Sequence, residues 1–91
     1  MSRPFRSLPK ELAPGWPDVK SEDPVGEVAR QLAINLRAAI GEMPLRDAAN
    51  LTGIDHSTIY AILQGNSWPD ISTLAKLERG LDCDLWPGRS I

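Results

Sequence analysis

Side chains able to do covalent or metal chemistry are scarce in this sequence. It has one histidine, His56, and one cysteine, Cys83. A structural zinc site needs more such ligands than that, and a lone cysteine closes no internal disulfide. Its 12 carboxylates are scattered and form no nucleophile–base pair or metal set with the rest. We therefore expect no catalytic residue, no metal and no cofactor. The 91 residues allow one domain with a modest core, which excludes a multidomain enzyme. No apolar run approaches the roughly 20 residues that cross a bilayer. The first ten residues carry charge but no apolar stretch of the signal-peptide kind. The expectation is a small, soluble, cytoplasmic protein that makes no membrane contact.

The informative spacing is apolar. Counting from Leu45, small residues fall at the fourth and fifth positions (Ala48, Ala49) and glycine at the ninth (Gly53). β-Branched isoleucines follow at the tenth, fifteenth and eighteenth (Ile54, Ile59, Ile62). A small residue at 49 lets one helix cross close over another. Glycine at 53 is free to take the positive φ that a short interhelical turn requires. The three isoleucines plug the angle between two helices, leaving the opposite face of the second helix, and its N-terminus, toward solvent.

The elements that would hold this unit are helical. Val25, Val28, Ala29, Leu32, Ala33, Leu36, Ala39 and Ile40 recur at three- and four-residue intervals, predicting a helix opened by Asp23 or Pro24 and closed by Gly41. A short helix follows Pro44 with Leu45, Ala48, Ala49 and also Leu51 expected inward. A third, capped by Asp55, carries Ile59, Ile62 and Leu63 and stops at Gly65. Asn66-Ser67-Trp68-Pro69 is a turn cluster. Asp70 caps a fourth helix with Ile71, Leu74, Ala75 and Leu77, whose last turn Gly80 weakens. Asp84-Leu85-Trp86 can form one more turn. No period-two alternation suggests strands. Five of the eight prolines lie in the first 24 residues, so residues 1–24 read as a Pro-rich extended tail, ordered only where Leu8, Leu12 or Trp16 dock, or alternatively as an arm that grips a partner subunit or DNA. Residues 25–91 read as the folded domain.

The segment from Gly53 through Gly65, followed by Pro69-x-Ile71-x-Thr73-Leu74-x-Lys76-Leu77, closely resembles the Cro/C1-type (XRE) helix-turn-helix family of bacterial and phage regulators. The resemblance covers residues 25 to about 86. It implies an all-α, compact four- to five-helix bundle with a lambda-repressor-like helix-turn-helix, preceded by the Pro-rich tail. It also implies sequence-specific binding of double-stranded DNA, with the helix around residues 56–64 in the major groove. The base-contacting residues would be His56, Ser57, Tyr60, Ala61 and Gln64. Gln64 offers a donor and an acceptor together, which suits adenine. Asp55 reads better as a cap than as a base reader. Backbone contacts would come from Arg46, Thr52, Thr58, Asn66 and Ser67, and from the first amides of the helix after Pro44. Asn66 also reads as a helix stop, Trp68 as a lid over the core, and Arg30 and Arg37 as solvated helix positions.

The sequence departs from the family pattern in three places. Pro44 and Leu45 stand where Ser and Gln are common, which removes a glutamine contact to DNA. Ala38 and Leu63 replace an Arg–Glu pair, so that an apolar contact would substitute. Little chain remains for a fifth, dimerising helix. Residues 25–91 hold six basic and eight acidic side chains, which predicts modest affinity per subunit and a shallow salt dependence. A homodimer on a two-fold operator would make up the difference. The expectation is therefore a transcription regulator of repressor type, from a phage or mobile element or an antitoxin-like autoregulator, with a possible protein partner on the N-terminal tail. The rival reading is a protein-interaction adaptor on the same helices without DNA contact.

Overall fold

Asp23 begins the first long helix. Its carboxylate accepts from the amides of Val25 and Gly26, both at 2.9 Å, and Pro24 supplies a φ already suited to the first turn. A computed structural model describes residues 7–89, and in it five α-helices follow one another: α1 Pro9–Leu12, α2 Pro24–Ile40, α3 Leu45–Thr52, α4 His56–Leu63 and α5 Ile71–Leu81. No strand occurs among the described residues. The fold is all-α, as the periodicity predicts.

The core is built where apolar stripes meet. Leu32, Leu36 and Ile40 of α2, Ala48 of α3, and Ile59, Ile62 and Leu63 of α4 form one buried cluster with Ile54, Leu77 and Leu85. Helix α3 packs on both α4 and α5, and α2 packs on α4. Gly53 takes φ +76° between α3 and α4, with open space where a Cβ would stand, so conformation alone demands glycine there. Gly80 is different. A Cβ on it would lie 2.5 Å from the Leu51 carbonyl oxygen and 2.6 Å from Thr52 Cα. It marks the crossing of α5 over the end of α3, so the glycine read as a weak point is a packing requirement.

Two segments depart from expectation. The first is the described part of the Pro-rich tail, which carries a helical turn and lies docked along α2. Glu11 accepts from the Leu8 amide at 2.8 Å to close that turn. Leu12 sits against Gly26, where a Cβ would come within 2.7 Å of it. Ser21 donates its hydroxyl to the Leu12 carbonyl and its amide to Glu27 at 2.7 Å. Glu27, buried on α2, also accepts from Arg30 and Gln31, while Arg30 donates onward to the Pro17 carbonyl at 3.0 Å. Residues 1–6 of the expected tail lie outside the described residues.

The second is Asp84-Leu85-Trp86, which forms no helical turn. Glu78 instead accepts from the amides of Leu85 (2.7 Å) and Trp86 (3.0 Å), and Asn35 donates to the Leu85 carbonyl at 2.9 Å. These bonds hold this irregular end against α5 and α2, with Leu85 buried in the core.

Candidate nucleic-acid interface

Helix α4 is aimed by its buried side. Ile59 is fully buried, Ile62 and Leu63 nearly so, and three such positions fix the helix's rotation. The residues a turn apart on the other side are thereby turned outward. The His56 side chain is 66% exposed and Tyr60 is 54% exposed. Ser57 is exposed, while Thr58, Ala61 and Gln64 are half-buried. His56, Tyr60 and Gln64 follow at four-residue intervals and so form one row along the helix.

The N-terminus of α4 is capped by Asp55, which accepts from the Ser57 amide at 3.0 Å and from the Ser57 hydroxyl. These bonds, the hydroxyl's first, hold the Asp55 carboxyl below its ordinary range. One consequence concerns Ser57. With its proton given to Asp55, the hydroxyl has acceptor capacity left over. His56 Nδ1 lies 3.9 Å from Asp55 Oδ1, close enough for a charged imidazole to be attracted.

The flanking positions divide. Arg46, in the first turn of α3, is exposed, as is Asn66 after α4; Ser67 is half-buried. Pro44 gives α3 no side-chain cap, so its first amides are not used by a neighbouring side chain. Thr52 is the exception. It is 7% exposed, donates its hydroxyl to the Ala48 carbonyl at 2.8 Å and accepts from the Ile54 amide at 3.2 Å. That hydroxyl orders the turn between the helices and does not face outward. Ala38 is exposed while Leu63 joins the core.

The C-terminal end of α4 is held from a distance. Trp16 donates its indole N–H to the Leu63 carbonyl at 3.0 Å, and Lys10 donates its amide to the Gly65 carbonyl at 3.0 Å. The helix's last carbonyls thus find partners in the N-terminal segment. Gly65 takes φ +75° and lies under Lys10 and the Trp16 ring, where a Cβ would meet both at 2.8 Å. Sequence reasoning named Trp16 as a docking residue but missed Lys10. A pairing across 47 residues leaves no local periodic signal.

Residues 41–85, the span from the α2–α3 turn to Leu85, match the HTH_3 helix-turn-helix model. This helix-turn-helix is similar to an HTH_3 family transcriptional regulator from Vibrio cholerae, at 38% identity and a TM-score of 0.52 over 64% of the present chain. The chain spans about a third (32%) of that protein's length. It is also similar to a restriction-modification controller protein from Aeromonas hydrophila, at 28% identity and a TM-score of 0.49, covering 59% of this chain and 80% of that one. No curated protein matches. Among the described residues no helix is long and apolar enough to cross a membrane.

Proposed function

We propose that this protein binds double-stranded DNA sequence-specifically, with α4 in the major groove, and represses transcription by occupying promoter DNA in the cytoplasm, at the nucleoid. One observation carries this reading: inside a helix-turn-helix, the isoleucines of α4 are buried while His56 and Tyr60 are exposed, with half-buried Gln64 ending the same row. Gln64 suits adenine N6 and N7, and His56 can donate to guanine. Ser57 accepts from an exocyclic amine, Tyr60 meets a thymine methyl or a phosphate, and Ala61 leaves room for a methyl group. Arg46, Thr58, Asn66, Ser67 and the uncapped amides at the start of α3 take the phosphates beside the groove.

The active species is a homodimer on a two-fold operator, because one subunit carries few cations with which to displace counterions. A phage or mobile-element regulator, or an antitoxin-like autoregulator, fits this design. Selection of duplexes from a random pool by the purified chain tests it. A symmetric consensus supports the reading; failure to enrich any sequence overturns it.

An adaptor without DNA contact is the second reading. It is favoured by an apolar groove of about 370 Å³ lined by Val25, Val28, Leu32, Trp68, Leu74 and Trp86. Enrichment of duplex DNA decides against it.

A further inference from the structure

We propose that the N-terminal segment gives this protein a DNA-phosphate site of its own, in which Lys10 and Arg37 receive a phosphate of the strand passing the C-terminal end of α4. The inference rests on the DNA-binding reading and extends it beyond the helix-turn-helix.

The starting observation is a deficit. Residues 47–75, which include most of α3, all of α4 and the turn after it, contain no lysine or arginine. A groove-reading helix still needs cations at the phosphates beside it, since counterion release supplies most of the sequence-independent affinity. The fold brings them from elsewhere. A surface cleft of about 720 Å³ at the end of α4 is lined by Lys10, Trp16, Arg30, Arg37, Gln64 and Asn66. Gln64 belongs both to the outward row of α4 and to this cleft, so the cleft continues the face that meets the bases.

The two candidate cations are free to act. Arg30 is committed to Glu27 and to the Pro17 carbonyl. Lys10 and Arg37 are exposed and form no ion pair among the described residues. The one carboxylate lining the cleft, Asp18, acts on Arg30. Lys10 is also positioned: its amide is bonded to the Gly65 carbonyl at 3.0 Å, so its side chain starts from a fixed point beside Asn66, in the same cleft as Arg37. Two cations and an asparagine amide lining one cleft offer a phosphodiester charged and neutral donors together.

The test is fluorescence anisotropy with the full chain on two duplexes of equal length, one selected and one scrambled, across about 50 to 200 mM KCl. Lys10→Ala is expected to weaken both by the same factor, about three- to tenfold at the lowest salt, and to reduce the slope of log K against log salt by about 0.9 per protomer. Lys10→Arg is expected to restore both quantities, and Arg37→Ala to repeat the loss. An unchanged affinity and slope in Lys10→Ala, with wild-type binding intact, overturns this proposal and leaves the DNA-binding reading standing. Loss on the selected duplex alone overturns it in favour of base reading. A lowered Tm with no rescue by Lys10→Arg overturns it in favour of a structural role. Failure of the wild-type chain to bind either duplex overturns the DNA-binding reading itself, and this site with it.

Discussion

At the scale of single residues, Gln64 and Glu27 make the sharpest expectations. Gln64→Ala is expected to lose about 1–3 kcal/mol of discrimination at one base position while binding to scrambled duplexes is unchanged. Competition with point-substituted operators measures it. Glu27 governs acid behaviour. Hydrogen bonds from Arg30 chiefly, helped by Gln31 and the Ser21 amide, outweigh the burial of the carboxyl and lower its pKa from 4.5 to about 2. The unfolded chain therefore binds this proton more tightly than the folded one. The stabilisation is complete above about 4.5, the ordinary value, and is lost as pH falls toward about 2. Glu27→Gln is expected to lower Tm at neutral pH, with the gap to wild type narrowing through that acid window in thermal melts followed by circular dichroism.

Between residues and the whole lie the helices and their crossings. Gly80→Ala places a methyl group against the α3 backbone and is expected to cost about 1–3 kcal/mol, read from chemical denaturation. Trp16→Phe keeps an aromatic ring but gives up part of the indole's packing on Gly65 and removes the donor to Leu63, with an expected loss of at least about 1 kcal/mol. Much at this scale was legible in the sequence. Asp23, Asp55 and Asp70 were readable as caps and Gly41 and Gly53 as stops, because capping and positive φ act between near neighbours. The outward turn of α4 was readable too, since Ile59, Ile62 and Leu63 fix the helix's rotation. What escaped depends on which partner the folded chain presents, whether a distant helix for Gly80 or a nearby group for Thr52 and Glu78. Gly80 looks like any helix-weakening glycine until α3 lies under it. Thr52 looks like a surface threonine until its hydroxyl bonds back to Ala48. The turn expected at Asp84–Trp86 gives way because Glu78, on another element, captures both amides.

Over the whole molecule, charge and apolar exposure set the assembly. The net charge is −2, and the cations that matter to DNA are local. Val25 and Trp86 line the same apolar groove and are 59% and 56% exposed. In the proposed homodimer this groove is the face a second subunit would cover, whereas the adaptor reading gives it to another protein. Trp86→Glu is expected to shift the chain to monomer in sedimentation velocity and to weaken operator binding at least tenfold, with the thermal melt little changed, because the ring is outside the core. A variant that stays dimeric would move the interface elsewhere on the molecule.

The hold of Trp16 and Lys10 on the last carbonyls of α4 bears on protein engineering. A chimaera that grafts residues 41–85 onto a related scaffold would leave behind the upstream piece that steadies the reading segment. Such a graft should keep its helical content yet hold its aim less firmly. Co-transplanting residues 7–21 should recover it.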